Sequence, residues 1–180
     1  QAGEAKNTEG SVRTIKMHQH FYRSALPQLG EKMFLADGGL ETTLIFQEDW
    51  ELPHFAAFVL LDSASGTATL KNYYERYIAL ALSYGTGMIL ESPTWRAGPS
   101  WGPATGYSDA ELVAINQRAI AELTTLRASH PTGHTPTVIS CCVGPQGAGY
   151  NQNRLLSVGE PRYTQRMQWA VFERDEVGRA

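Results

Sequence analysis

Three short stretches carry residue types able to do chemistry, and each begins where an apolar run stops. The first is Asp37-Gly38-Gly39, directly after Met33-Phe34-Leu35-Ala36. An acid beside two glycines places a negative charge next to backbone that a ligand can approach closely, because glycine has no Cβ. The plainer reading is a strand-to-loop turn in which Asp37 only accepts from nearby backbone amides. The second stretch, Glu91-Ser92-Pro93-Thr94-Trp95-Arg96, follows Gly87-Met88-Ile89-Leu90 and offers a carboxylate and two hydroxyls. The third, Gly144 to Tyr150, is a glycine-rich turn after Thr137-Val138-Ile139-Ser140-Cys141-Cys142-Val143. Cys141 and Cys142 are the only thiols. Adjacent residues of a strand point to opposite faces, so the pair is poorly placed to grip one metal ion. Of the histidines, His18 and His20 read as solvated and His54 as structural. His130 and His134 are four apart, but Pro131 and Gly133 between them exclude a helical metal pair.

The elements that position these stretches follow from periodicity. The apolar runs ending at Ala36, Leu90 and Val143 have the length of buried strands. From Thr69 the pattern turns helical: Leu70, Tyr73, Tyr74, Tyr77, Ile78 and Ala81 share one face. The tyrosine stripe reads as helix-to-sheet packing, and Gly85 as the helix stop. Ser108-Asp109-Ala110-Glu111 spells a capping box, and Leu112, Ile115, Ala119, Ile120, Leu123 and Leu126 mark the helix behind it. A third helix opens at Glu160-Pro161, with Tyr163, Met167, Ala170 and Val171 expected on its buried face. Gln47 to Asp62 reads as a partly buried loop. The order is β-α-β-α-β-α, which implies an α/β fold with parallel strands and right-handed crossovers. Parallel strands all point one way, so the three polar strand ends must share one rim.

Composition narrows the classes. The chain has 180 residues, 42% hydrophobic and 18% charged, which suits one domain with a real core. A net charge of -3 gives no basic footprint for nucleic acid. No apolar run approaches the roughly 20 residues of a membrane span. Residues 1–30 are polar and unpatterned, a lead-in without a signal or transit pattern; residues 31–180 form the domain. Met17 is a candidate natural start. Unpaired, adjacent cysteines point to a reducing, cytoplasmic setting.

The three rim motifs together resemble the homocysteine S-methyltransferase family. Asp37-Gly38-Gly39-Leu40-Glu41-Thr42 matches the end of that family's first strand. Glu91-Ser92-Pro93-Thr94-Trp95 resembles its second, and Cys141-Cys142-Val143-Gly144-Pro145-Gln146-Gly147 its third. Order and spacing agree from residue 31 to about residue 170. The resemblance implies a (β/α)8 barrel that binds zinc and moves a methyl group from a sulfonium or ammonium donor to the homocysteine thiol, giving methionine. It implies substrate binding by Asp37, Gly38, Gly39, Ser92 and Thr94: Asp37 for the ammonium, the glycines for room, the hydroxyls for further bonds. Trp95 or Trp101 could face the cationic donor, with packing the plainer role for each.

The departures from the family shape the remaining expectations. A (β/α)8 barrel needs about 250 residues, and only about three βα units are present, so the chain reads as an N-terminal portion of a partial TIM barrel. The family's zinc cysteines lie in later strands, in a Gly-Gly-Cys-Cys motif without counterpart here, and the acid on its fourth strand is also missing. The expectation is a chain without zinc ligands or turnover of its own, whose open sheet edges favour self-association. The alternative is a non-catalytic fragment that completes its sheet with another chain. A Rossmann-like enzyme is disfavoured, because no Gly-x-Gly-x-x-Gly or phosphate-loop spelling follows any strand.

Overall fold

The computed structural model describes residues 26–130, 136–147 and 159–174. Most of the lead-in, with Met17, His18 and His20, lies outside the described residues, as do His134 and the Tyr163 side chain. The elements are β1 (Phe34–Ala36), α1 (Leu40–Phe46), α2 (Ala64–Tyr84), β2 (Gly87–Glu91), α3 (Gly102–Thr105), α4 (Asp109–Ser129), β3 (Thr137–Ser140) and α5 (Gly159–Arg174), joined in part by short 3-10 turns. The strands form one parallel sheet in the order β1-β2-β3. Leu35 stands beside Met88, Met88 beside Thr137, and Glu91 beside Ser140. This is the open-sheet α/β arrangement of a partial TIM barrel.

The register sorts the sheet into two faces. Met88, Leu90, Thr137 and Ile139 share one face and are buried, where α2 and α4 pack on it. On the other face Phe34, Ile89 and Val138 are half-buried, and Ala36 and Glu91 are exposed. The Phe34 ring lies over Gly87, so close that a Cβ there would come within 2.3 Å of it.

Helix limits follow local chemistry. α2 starts five residues before the periodicity suggests, because Ser63 caps it by accepting from Gly66 N at 3.0 Å. Gly85 ends it in the left-handed region, at φ 63°. The capping box at Ser108 and Glu111 is formed on both sides. Gln47 to Asp62 is more ordered than a loop: it holds two 3-10 turns, and the second carries Ala57, Phe58, Leu60 and Leu61 into the core. The buried face of α5 also differs from the expected one. Ala170 is exposed, while Gln168 is buried with Val171 and Phe172. The Gln168 amide donates to Thr94 O at 2.9 Å and to Asn116 Oδ1 at 3.2 Å. Asn116 in turn donates to Ala97 O at 2.8 Å. A buried amide stands only when bonded in this way, and the bonds tie α5 and α4 to the segment after β2.

Candidate functional site

The three strand ends meet at one mouth. Asp37 Oδ1 accepts from the backbone N of Glu91 at 3.3 Å, which joins the first end to the second. The second joins the third through two hydroxyls. Ser92 Oγ accepts from Cys142 N at 2.9 Å, and Thr94 Oγ1 donates to Cys142 O at 2.8 Å. The hydroxyls lie 2.7 Å apart. Each carries one hydrogen. The Thr94 hydrogen goes to Cys142 O, so the bond between the hydroxyls uses that of Ser92. These bonds replace the ladder beyond Ser140, and regular strand geometry therefore stops before Cys141. Gly144 completes the junction: a Cβ there would lie 1.7 Å from Trp95 O.

A cavity of about 300 Å³ opens at this mouth. Asp37, Gly38 and Gly39 line it from the β1–α1 turn, Glu41 from the first turn of α1, Glu91, Ser92 and Trp95 from the end of β2, and Cys142 from beyond β3. Gly38 leaves open space, with nothing within 4 Å of where its Cβ would be. Gly39, at φ 69°, turns the chain straight into α1. That helix, anchored by buried Leu40 and Leu44, brings Glu41 to the cavity. Seven residues are too few for periodicity to announce it.

Charge at the mouth is one-sided. Burial raises the Asp37 carboxyl above its ordinary value; the Glu91 amide and the Tyr73 hydroxyl oppose this, and the Glu91 charge adds to it. Burial also raises Glu41, with help from the Glu91 and Asp37 charges, against Arg96. Three carboxylates around one cavity repel each other and favour a cationic guest. The thiols are pushed up to about 12, Cys141 by burial and Cys142 by burial and then Glu91. Cys142 faces the cavity, whereas Cys141 packs on the core.

The other predicted residues divide. Thr94 is buried behind the rim and does not line the cavity. Trp95 and Trp101 both face a cation, but it is the chain's own: the Arg96 guanidinium sits 3.9 Å and 3.7 Å from their ring centres. His54 lies beside Trp101, with 6.1 Å between ring centres. His130 accompanies the end of α4, its Nδ1 3.0 Å from Leu126 O. Periodicity missed the work of the tyrosines. Tyr73 Oη donates toward Gly38 O at 2.9 Å and Asp37 Oδ2 at 3.3 Å, Tyr77 Oη to Gly38 O at 3.1 Å, and Tyr74 Oη to Glu91 O at 2.7 Å. Packing and hydrogen bonding thus share one helix face. A separate, mostly apolar cleft of about 210 Å³ between α2 and α4 shares no residue with the rim.

No protein-family model matches the chain, and no curated protein does. Two solved structures of the homocysteine methyltransferase MmuM from Escherichia coli do, one metallated and one oxidized, with TM-scores of 0.61 and 0.62. The fold is shared with a homocysteine methyltransferase. Identity is 16% in both cases, and each match covers 84% of this chain. This chain spans about half the length of MmuM, 53% and 52% in the two comparisons. The metallated form directs attention to ligands. The two described thiols do not present a pair to one metal ion: Cys142 faces the cavity, and Cys141 packs on the core. Among the described residues no group of three His, Cys, Asp or Glu side chains could hold a metal ion. None of their helices is long and apolar enough to cross a membrane.

Proposed function

We propose that this chain carries the amino-acid-binding rim of a homocysteine S-methyltransferase, in which a sulfonium or quaternary ammonium donor methylates the homocysteine thiol to give methionine. One observation carries the reading: Asp37, Glu41 and Glu91 converge on a single cavity in a fold shared with such an enzyme. The ammonium of homocysteine supplies the positive charge that this cavity lacks. Asp37 receives it, fixed by the Glu91 amide, and Gly38 and Gly39 leave room beside it. Ser92 forms the wall and presents a lone pair, while Thr94 holds Ser92 and the third strand end in place. The described residues recognise the substrate and do not activate its sulfur. A free thiol has a pKa near 8.5 and attacks only as thiolate, and the cavity's carboxylates disfavour a second negative charge.

Titration calorimetry of the chain with L-homocysteine and with 4-mercaptobutyrate, which lacks only the amino group, tests the reading. Homocysteine is expected to bind at least about tenfold more tightly, the value of one charge-assisted bond. Asp37→Asn is expected to remove that preference. Equal affinity for the two thiols would overturn the assignment. Methionine formation from homocysteine and S-methylmethionine or betaine is expected to stay at background.

A further inference from the structure

The hydrogen bonds under the Asp37-Gly38 turn present a counting problem. Two acceptors, Gly38 O and Asp37 Oδ2, face two phenols from successive turns of α2. Tyr73 Oη reaches both acceptors, at 2.9 Å and 3.3 Å, but has one hydrogen. Of these two acceptors Tyr77 Oη reaches the carbonyl, at 3.1 Å, and it also lies within hydrogen-bonding reach of Tyr73. The rings lie 5.1 Å apart between centres and pack on each other, so neither hydroxyl is free to wander. One allocation gives each acceptor a hydrogen: Tyr77 donates to Gly38 O, and Tyr73 donates to Asp37. Were Tyr77 absent, the carbonyl, at 2.9 Å against 3.3 Å, would compete with Asp37 for the Tyr73 hydrogen.

We propose that Tyr73 and Tyr77 are a coupled pair of positioning residues, in which Tyr77 satisfies the Gly38 carbonyl so that the single Tyr73 proton serves the Asp37 carboxylate. The pair keeps Asp37 ionised and aimed in a setting that otherwise opposes its charge. Asp37 is faced by Glu91 from β2, Glu41 from α1 and Tyr73 and Tyr74 from α2, and Arg96 acts on Glu41. Of these, Tyr73 is the one that donates a hydrogen to Oδ2. Gly38 O then accepts from Tyr77 alone, and the carboxylates remain the charged acceptors for a guest ammonium. That last consequence rests on the proposed binding of homocysteine; the proton allocation does not.

The test is a carbon-detected NMR titration of the Asp37 carboxyl in the ligand-free chain and in Tyr73→Phe, Tyr77→Phe and the double variant. The midpoint is expected to move upward in both single variants, although Tyr77 does not touch Asp37. The double variant is expected to match Tyr73→Phe, because Tyr77 acts only through Tyr73. An unmoved midpoint in Tyr77→Phe, or additive shifts in the double variant, would overturn the coupling. Tyr77 is only half-buried, so its variant carries the test even if Tyr73→Phe fails to fold. Homocysteine titrations of the same variants form a separate arm, with about tenfold weaker binding expected for each single variant. If no form of the chain binds homocysteine while the carboxyl midpoints move as stated, the substrate assignment fails and the allocation stands.

Discussion

Replacing Gly144 by Ala tests whether the three strand ends are locked together as the geometry requires. The new methyl would sit 1.7 Å from Trp95 O and 2.8 Å from Trp95 C. Both are backbone atoms, so no side-chain rotation relieves the clash. The two segments must separate by more than about 1 Å before the contact becomes tolerable, and close-packed interiors give little such freedom. The hydrogen bonds nearest the clash, Cys142 N to Ser92 Oγ at 2.9 Å and Thr94 Oγ1 to Cys142 O at 2.8 Å, cannot survive that separation. Each contributes about 0.5–1.5 kcal/mol, and the Thr94 hydroxyl, wholly buried, costs more if left without its acceptor. The expected loss is therefore about 2–4 kcal/mol, a large share of the roughly 5–15 kcal/mol typical of a folded domain.

Urea unfolding followed by tryptophan fluorescence measures this directly, since Trp95 sits at the junction. Gly38→Ala is the matched control. It makes the same chemical change on the same rim, but nothing lies within 4 Å of its Cβ, so its stability should stay within about 1 kcal/mol of the parent. A Gly144→Ala chain less than about 1 kcal/mol weaker than the parent would refute the reasoning. The third strand end would then be loosely attached, and the rim would not be one structure.

Asp37→Asn should raise stability at pH 7 while weakening homocysteine binding. A carboxyl whose folded pKa is raised contributes stability that is present below its unfolded value, near 3.8, and lost as pH rises through the folded value. The advantage of Asn over Asp should therefore shrink as pH falls below about 4 in thermal melts; an advantage unchanged down to pH 3 would show that it has another source. Cys141 and Cys142, both pushed up to about 12, should react with iodoacetamide at pH 8 at least about tenfold more slowly in the folded chain than in urea. Rapid labelling of Cys142 in the folded chain would mean that the acidic cavity does not protect it.

What was legible in the sequence was mostly what is local. The capping box at Ser108, the glycine stop at Gly85 and the apolar faces of α2 and α4 each need only a few neighbouring residues to be recognised. Strand ends were legible for a related reason: an abrupt change from apolar to polar marks where a buried run reaches the rim, and parallel order does the rest. α1 was not legible, because a seven-residue helix offers one apolar pair, Leu40 and Leu44, and no repeat. Gln168 was missed because a glutamine on a helix reads as solvent-facing. Only a carbonyl 74 residues earlier, that of Thr94, gives it reason to be inside.

The tyrosines show most clearly where local pattern stops. Tyr73, Tyr74 and Tyr77 fall on the apolar face of α2, and periodicity is satisfied once their rings pack. Nothing in that pattern asks where the hydroxyls go. Yet burying a phenol requires a partner for its hydrogen. Here the partners are 17 to 39 residues away, on the two rim segments that carry the acids. The helix that connects β1 to β2 thus also fastens both strand ends, and does so with the residues that bury it. A helix with phenylalanines at these positions would satisfy the same period and leave the half-buried Asp37, in an acid-rich cavity, to the Glu91 amide without the Tyr73 hydrogen that adds to it.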